Sequence, residues 1–394
     1  FEDLAIRVEV ELEGAVESTG SGQALPSGGP SADAVRALGY VHARDRLFQM
    51  ELQTRAVAGT LAELVGDRAL PVDREARAQG LADAALRGYE QLDPGSPGRV
   101  LTEAYSDGVN AYIDGMTAAE LPFEFRLLSG RPQRWAPEYT AYLFARMGLT
   151  LAYSSGELRR PAVEALIGRA ATDALFPADN PIQEPIQPNG QRAPRLDWKS
   201  IPAPGPSDPV AARTALAESD SRARFVAALS GVVDVDRTGI ASQTRAESLA
   251  DAGQLDDVAI GSNNWAVAPK RTAAGKALLA GDPHLSLTLP SIWYEAHLVV
   301  PDTLDVYGVT IPGSPIPPIG FNREVAWSVT NTGADVADYF VETGDDSTRP
   351  HRYRVDGEWR PLRERVEEIR GKNGRVIAVD TVLETHRGPM LRNG

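Results

Sequence analysis

The sequence predicts an α+β protein in which helices come first and a largely antiparallel sheet comes last. Three observations support this prediction. Apolar residues recur every three or four positions between residues 43 and 151, which is typical of amphipathic helices. Pro-rich and then Ala-, Asp- and Ser-rich sequence fills residues 178–261. Short β-rich segments follow residue 261, without evident helices of the kind that connect parallel strands.

The first half of the chain is predicted to be helical after a loop-like beginning. Residues 1–30 are rich in Gly and Ser and predict a loop. Ala43–Val65 carries apolar side chains at helical spacing, with charged residues between them. Three later segments repeat this period and are separated by Pro- and Gly-bearing breaks: Arg74–Leu92, Arg99–Met116 and Pro137–Leu151.

The second half is predicted to consist of a spacer and then strands. Residues 206–261 are polar and resemble a linker or a removable spacer. The β-rich segments beyond it are bounded by Gly, Pro, Asn or Asp, as strands usually are. They are Trp265–Ala268, Ala277–Ala280, Ile292–Val300, Leu304–Thr310, Val325–Val329 and Tyr339–Thr343, with two or three more in Arg352–Arg370 and Val376–Glu384.

Composition excludes several classes of function. The 394 residues carry a net charge of −14, which disfavours nucleic acids and anionic membranes as partners. No apolar stretch approaches the length of a membrane span. The absence of Cys excludes disulfides, zinc–thiolate sites and cysteine nucleophiles. We expect a periplasmic or secreted protein whose signal segment is not within this sequence.

Gly261-Ser262 stands where the spacer gives way to the first predicted strand. A serine hydroxyl is a weak nucleophile unless a base lies beside it. A serine at a chain terminus carries its own base, because the α-amino group has a pKa of about 7.7–8.0. Attack of the Ser262 hydroxyl on the Gly261 carbonyl would create that terminus. Taken alone, however, a Gly-Ser pair before a strand is also a common turn.

A series of ordered motifs accompanies this pair. Gly39–Glu51 is similar to the hallmark α-chain helix of the penicillin acylase family of N-terminal-nucleophile hydrolases. The start of that family's β-chain is similar to six short motifs here, which are Ser262-Asn263-Asn264-Trp265, Asp282-Pro283-His284-Leu285, Pro312-Gly313-Ser314-Pro315, Gly320-Phe321-Asn322, Ala326–Thr330 and Asp335–Asp338. The resemblance covers roughly residues 31–205 and 262–394.

The resemblance implies a fold, a division of the chain and a reaction. The fold would be the αββα four-layer core with antiparallel sheets, preceded by a helical α-chain region. Residues 1–205 would form the α-chain, with 1–30 atypical, 206–261 the spacer and 262–394 the start of the β-chain. The reaction would be cleavage after Gly261, followed by hydrolysis of a linear amide through an acyl-enzyme on Ser262. The two chains would then remain together as a heterodimer.

The resemblance also implies roles for individual residues around Ser262. His284 matches the position beside the nucleophile, and the backbone N–H of Asn331 would be one oxyanion donor. The family's second donor, an Asn side chain, and a later active-site Arg have no counterpart in residues 262–394. We therefore expect that the sequence is truncated at its C-terminus. If the sequence were complete, only one of the two oxyanion donors would be present. His42, His297, His351 and His386 are expected to be structural.

A substrate pocket and a metal site follow from the same resemblance. The wall of the acyl pocket is matched by Met147, Leu151, Leu285, Ile319 and Val329. Their side chains fit an aliphatic or aromatic acyl group. Because Leu285 and Ile319 are aliphatic where phenylacetyl-specific enzymes carry rings, fatty-acyl amides such as acyl-homoserine lactones stay open beside β-lactam side chains. A structural Ca²⁺ site is matched by Glu157, Asp335, Ala337 and Asp338.

Three other functions compete with this hypothesis. An unrelated serine hydrolase lacks support because the chain has no Gly-x-Ser-x-Gly or Ser-x-x-Lys motif. A metal-dependent amidohydrolase is disfavoured because the five His show neither His-x-His nor His-Glu-x-x-His spacing. The more serious alternative is an inactive fragment or pseudoenzyme of the same family that only binds acyl compounds.

Overall fold

The computed structural model describes residues 6–9, 30–152, 156–177, 198–202, 205, 207–211, 213, 261–285, 288–331, 338–346 and 350–390. The chain divides into two units. Unit 1 takes its described residues from Phe1–Leu151, Ala227–Ala334 and Glu342–Arg392. Unit 2 takes them from Ala152–Val226 and Asp335–Val341. Most of the predicted spacer lies outside the described residues, so the division into α-chain, spacer and β-chain stays a prediction.

The helices of unit 1 confirm the helical first half, with boundaries that differ in detail. They are α1 (Pro30–Ala58), α2 (Leu61–Val65), α3 (Leu70–Gln79), α4 (Leu81–Glu90), α5 (Pro97–Gly115), α6 (Phe123–Leu128) and α7 (Glu138–Ala152). The single helix predicted over Ala43–Val65 is in fact two, because Gly59 adopts a φ of +64° and ends α1. Gly80, with a φ of +66°, likewise separates α3 from α4.

The described strands of unit 1 form four separate sheets. They are β1 (Ile6–Glu9), β2 (Gly261–Val267), β3 (Leu278–His284), β4 (Tyr294–Val300), β5 (Leu304–Thr310), β6 (Ile319–Phe321), β7 (Ala326–Trp327), β8 (Thr343–Gly344), β9 (Arg352–Val355), β10 (Glu358–Pro361), β11 (Arg363–Arg370) and β12 (Val376–Glu384). The largest sheet has the order β1-β4-β5-β6-β7. Smaller sheets join β10-β9-β8, β11-β12 and β2-β3. All pairs are antiparallel except β1 with β4, as the sequence predicts for this half.

Two strand predictions were wrong. Residues 6–9 were expected to lie in a loop, but they pair in parallel with β4. The alternation of Ile6 and Val8 with Arg7 and Glu9 was the signal that could have revealed this strand. Tyr339–Thr343 was expected to be a strand, but only Thr343–Gly344 pairs, and Val341 is fully exposed. β-Propensity does not make a strand by itself, and among the described residues no strand pairs with residues 339–342.

The core of unit 1 lies between its first helix and its largest sheet. The side chains of β4 alternate in burial, and Tyr294, Ala296, Leu298 and Val300 are buried. Tyr294 meets His42 of α1 edge to face, with their ring centroids 4.6 Å apart. α1 also packs along α5, where Tyr40 meets Tyr112 edge to face. Helices therefore cover one face of the sheet that follows the predicted nucleophile.

Unit 2 contains a pair of helices. α8 (Gly156–Ile167) and α9 (Arg169–Leu175) are separated by Gly168, whose φ is +79°. Within the unit, the Gly205 N–H donates to the carbonyl of Ile167 over 2.6 Å. In the described part of the whole chain, no helix combines the length and apolar character needed to cross a membrane.

Candidate active site

Ser262 lies on a two-stranded ribbon formed by β2 and β3. In its register, Ser262 is opposite Pro283 and Gly261 is opposite His284. Side chains alternate between the two faces of a strand, and directly opposed residues share a face. The Ser262 side chain therefore lies on the same face as the Cα of Gly281, whereas His284 lies on the other face. In this ribbon His284 pairs with the residue before Ser262, but the side chains of Ser262 and His284 lie on opposite faces.

His284 interacts with an acid on its own face of the ribbon. Its Nε2 lies 2.9 Å from an Oδ of Asp282, two residues away, and both side chains are largely exposed. An imidazole paired with a carboxylate is held in a defined tautomer and orientation. In this arrangement the ring is oriented by Asp282 rather than by Ser262. The predicted role of His284 beside the nucleophile stays a prediction.

The segment Trp327–Asn331 makes three contacts, one of which is with this ribbon. The Trp327 indole N–H donates to the carbonyl of Pro317 over 3.0 Å. The Ser328 side chain packs directly against Gly281, and its hydroxyl is buried without a hydrogen-bond partner among the described residues. Asn331 Nδ2 donates to the carbonyl of Leu151 over 2.6 Å. Together these contacts place Asn331, the predicted oxyanion donor, against the last described turn of α7.

Because Ser328 occupies the space beside Gly281, an alanine at residue 281 is expected to disturb the ribbon. A Cβ there would overlap the Ser328 hydroxyl and lie 2.6 Å from its Cβ. We expect Gly281→Ala to lower the free energy of unfolding by about 1–3 kcal/mol through overpacking. The double variant Gly281→Ala/Ser328→Gly should recover most of this loss in chemical denaturation. Equal stability of the single and double variants would contradict the contact.

The structure brings together only some of the predicted acyl-pocket residues. Met147 and Leu151 lie one turn apart on α7, and both are half-buried. Leu151 is joined to the Trp327–Asn331 segment through its carbonyl. Ile319, on β6, is also half-buried, but Val329 is 53% exposed. Leu285 follows β3 directly and is half-buried.

A groove of about 320 Å³ lies elsewhere on unit 1. It is lined by His297, Asp305, Tyr307, Phe321, Asn322 and Arg323, and so contains none of the predicted acyl-pocket residues. His297 Nε2 is 2.8 Å from Asp305, which also accepts a hydrogen bond from Arg323. These two partners hold the pKa of Asp305 below its usual range. The charge of Asp305 in this groove is thus paired with Arg323, and the position of the active site near Ser262 stays a prediction.

The hallmark helix contributes a buried polar network that sequence analysis did not find. His42 is fully buried, with Nδ1 2.7 Å from the Tyr105 hydroxyl and Nε2 2.9 Å from the Thr310 hydroxyl. The Thr310 hydroxyl donates to the carbonyl of Tyr294, so it accepts from His42 Nε2–H. Tyr105 then donates to Nδ1 and accepts the Gly313 N–H over 2.8 Å. Every polar atom of the ring is satisfied in the neutral state.

The same network fixes the Pro-Gly-Ser-Pro loop. The Gly313 N–H is held by Tyr105 of α5, and the Gly313 carbonyl accepts from the Thr140 hydroxyl of α7 over 2.8 Å. Gly313 has a φ of +109°, a conformation that side-chain-bearing residues rarely adopt. The Gly in this motif was visible in the sequence, but its partners were not, because they lie more than 170 residues earlier.

Next to His42, two charged residues and a glutamine of the hallmark helix bind the chain that follows the ribbon. Asp45 accepts a hydrogen bond from the Tyr294 hydroxyl over 2.7 Å. Arg46 and Gln49 both donate to the carbonyl of Ser291, over 2.9 and 3.1 Å. Arg46 has non-helical dihedral angles within α1, with a φ of −139°. The helix is therefore kinked at the residue that reaches across to the β-rich part.

The buried state of His42 predicts a pH dependence of stability. Burial, together with the nearby Arg46 charge, lowers the pKa of His42 from 6.5 to about 3. The unfolded chain therefore binds a proton below pH 6.5 that the folded chain does not, so this contribution to stability decreases as pH falls from 6.5 towards 3. The slope is up to about 1.4 kcal/mol per pH unit.

His42→Gln tests this dependence because Gln keeps hydrogen-bonding groups but does not titrate. We expect the wild type to be more stable at pH 8, and its advantage to shrink as pH falls below 6.5. Urea unfolding of both proteins between pH 4 and 8 measures the difference. Other titrating groups, including Asp73, whose pKa burial raises to about 6, are common to both proteins and cancel. A pH-independent difference would contradict a neutral buried His42.

The predicted calcium ligands lie mostly outside the described residues. Asp335, Ala337 and the side chain of Glu157 are among these, and Asp338 is exposed. Within the described ranges, no three His, Asp or Glu side chains are grouped as metal ligands would be. The predicted Ca²⁺ site therefore stays a prediction.

The chain is similar to known proteins over almost its whole length. Residues 28–394 match the family model described as penicillin amidase. The penicillin acylase 2 proenzyme of Pseudomonas sp. (strain SE83) is 34% identical over 362 residues, which are 91% of this chain and 41% of that protein. The acyl-homoserine lactone acylase QuiP of Pseudomonas aeruginosa is 34% identical over 379 residues, which are 94% of this chain and 39% of that protein.

A more distant relative covers a similar region. The penicillin G acylase of Escherichia coli is 27% identical over 379 residues, which are 90% of this chain and 43% of that protein. The chain thus spans about 40% of the length of the curated relatives that it matches.

Proposed function

Because the chain belongs to the penicillin amidase family, we propose that it is a self-processing amidohydrolase whose nucleophile is Ser262. The observation that carries this proposal is the match of residues 28–394 to the family, which includes the Gly261-Ser262 junction and the motifs that follow it. The name of one relative, a proenzyme, supports processing. The fold would be the αββα four-layer core, and helices packed on one face of a five-stranded sheet support two of its layers.

Processing would begin with the Ser262 hydroxyl as an intramolecular nucleophile. Its oxygen attacks the Gly261 carbonyl carbon, the Gly261–Ser262 C–N bond breaks, and the Ser262 nitrogen takes up a proton to become an amine. The resulting ester is hydrolysed by water, which leaves a carboxylate on Gly261 and a free hydroxyl on Ser262. Gly suits the position before the cut, because it leaves its carbonyl unshielded and tolerates unusual backbone angles.

The processed protein would hydrolyse a linear amide in two steps. The Ser262 α-amine accepts the hydroxyl proton while the oxygen attacks the acyl carbon, and the Asn331 N–H stabilises the oxyanion. The C–N bond breaks as the leaving amine receives that proton, and an acyl-enzyme remains. Water then attacks the ester, releases the carboxylic acid and restores Ser262. An α-amine pKa of about 7.7–8.0 leaves part of this base neutral at pH 7.

The acyl group of the substrate would be apolar. Related proteins are named penicillin and acyl-homoserine lactone acylases, so we propose a β-lactam side chain or an N-acyl-homoserine-lactone type of amide. The half-buried aliphatic side chains of Leu151, Leu285 and Ile319 favour an aliphatic chain, because they offer apolar contact without aromatic stacking.

After cleavage, the two chains would remain together as a heterodimer. Contacts between the regions before and after Ser262 within unit 1 support this proposal. His42 binds Thr310, Arg46 binds Ser291 and Thr140 binds Gly313. Arg77 also forms an ion pair with Glu367 over 2.6 Å, with both side chains largely buried. We further propose a structural Ca²⁺ at Glu157, Asp335, Ala337 and Asp338, and a periplasmic or secreted location.

A time course of purified protein tests the function directly. Denaturing gels and intact mass should show two chains that meet at Gly261 and Ser262. Mixing with a slowly deacylated N-acyl amide should add one acyl mass to the chain that begins with Ser262. A protein that binds the amide in calorimetry but releases no amine and gains no acyl mass would instead be the binding-only pseudoenzyme.

A further inference from the structure

The Asn331 side chain contacts the last described turn of α7. The structure describes this helix up to Ala152, and Leu151 lies in its last described turn. Asn331 Nδ2 donates to the Leu151 carbonyl over 2.6 Å. The contact therefore ties this turn of α7 to a residue from a distant part of the chain.

The Trp327–Asn331 segment connects this contact to the nucleophile-bearing ribbon. Its first residue is fixed to Pro317, and Ser328 rests on Gly281 on the Ser262 face of the ribbon. Asn331 is the last described residue of the segment. A displacement of the Leu151 carbonyl would therefore move the backbone of residue 331 relative to the ribbon. The contacts of Trp327 and Ser328 hold the rest of the segment in place.

α7 carries two residues of the predicted acyl-pocket wall near this contact. Met147 and Leu151 are one helical turn apart, and Leu151 itself provides the carbonyl that Asn331 binds. An acyl group bound against these side chains would therefore contact Leu151, whose carbonyl binds the Asn331 side chain. We infer that the Asn331 side chain is a positioning residue that couples the seating of the acyl group on α7 to the placement of the Asn331 N–H. This inference rests on the proposed function.

The coupling matters because an oxyanion donor acts over a narrow range of positions. Catalytic groups have to be held within about 0.5 Å of their productive geometry. Loss of one donor in a comparable enzyme lowers kcat by about 10²–10³-fold. The N–H of residue 331 persists whatever side chain the residue carries. A change of the side chain therefore tests position alone, without removing the donor.

The experiment compares Asn331→Ala, Asn331→Asp and Asn331→Gln across substrates that differ only in acyl-chain length. We expect Asn331→Ala to lower kcat by about 10–100-fold, below the loss of a whole donor, with KM little changed. Asn331→Asp should be worse, because its carboxylate has no hydrogen to donate and would face the Leu151 carbonyl oxygen. Asn331→Gln keeps the amide and should recover part of kcat. In Asn331→Ala, kcat should depend less on the acyl-chain length of the substrate than it does in the wild type.

A matched control uses a similar contact elsewhere in unit 1. Lys372 Nζ donates to the carbonyl of Leu128, the last residue of α6, over 2.9 Å. Lys372→Met removes a side-chain donor from a helix end without touching the Ser262 region, so kcat should match the wild type. The melting temperature of each variant shows whether a loss of kcat is a loss of fold.

The outcomes separate the inference from the function on which it rests. A wild-type protein that forms no acyl-enzyme overturns the proposed function, and the inference with it. A wild type that turns over, with Asn331→Ala within twofold of its kcat and an unchanged chain-length profile, overturns the inference alone. If Asn331→Ala does not fold, the comparison of Asn331→Asp with the wild type decides by the same criteria.

Discussion

Ser262→Ala is expected to remain a single uncut chain and to release no amine from any N-acyl substrate. The substitution removes the only atom that is proposed to attack both the Gly261 carbonyl and the substrate. Deletion of a serine nucleophile in a hydrolase lowers kcat by on the order of 10⁶-fold. Intact mass spectrometry should find one species of the full chain mass, where the wild type shows two.

A matched variant distinguishes loss of the nucleophile from loss of the local fold. Ser262→Cys keeps a nucleophilic atom at the same place on β2, so it should still be cut, although its rates will differ. The half-buried position of Ser262 on the ribbon accepts a side chain of similar size. Cleavage of Ser262→Ala at the same bond would show that another residue or a contaminating protease acts there, and would refute the proposed processing.

Gly108→Ala is expected to lower the free energy of unfolding by about 3–5 kcal/mol, at the upper end of the range for single substitutions. Gly108 lies where α5 crosses α1. A Cβ there would overlap the Arg36 carbonyl oxygen and lie 2.7 Å from the carbonyl carbon. Gly39 on α1 stands in the same relation to the Tyr105 carbonyl on α5. Backbone atoms cannot rotate away as a side chain can, so the two helices have to separate.

The effect can be measured against a helical glycine with open space beside it. Among the described residues outside its own helix backbone, no atom would lie within 4 Å of a Cβ on Gly88 in α4. Gly88→Ala should therefore be neutral or stabilise the protein by about 0.4–1 kcal/mol, because Ala restricts the unfolded chain. Chemical denaturation of both variants gives the comparison. A loss at residue 108 no larger than the change at residue 88 would contradict the close crossing of α1 and α5.

The crossing of α1 and α5 also bears on the proposed site. Tyr105 lies on the same helix as Gly108, and its hydroxyl joins His42 to Gly313. Separation of the two helices would pull this hydroxyl away from both partners. We therefore expect Gly108→Ala to reduce processing at Ser262 as well as stability, even though residue 108 has no contact with the ribbon among the interactions described above.

Local features of this fold could be predicted from the sequence. The period of apolar residues identified the main helices, and the first strand predicted after the spacer, Trp265–Ala268, overlaps β2. These signals act between residues that are close in the chain, so they need no knowledge of distant partners. The parallel strand Ile6–Glu9 was missed, because a short alternating run becomes a strand only when another strand pairs with it.

The sequence by itself determined the order of helices and strands and the motifs that identify the family, because both are patterns of neighbouring residues. The tertiary structure alone decided which of those residues meet. The register of β2 with β3 directs Ser262 and His284 to opposite faces, and a shift of one residue would exchange the faces. The contact between Asn331 and Leu151 joins residues 180 positions apart, and no local pattern encodes such a pair.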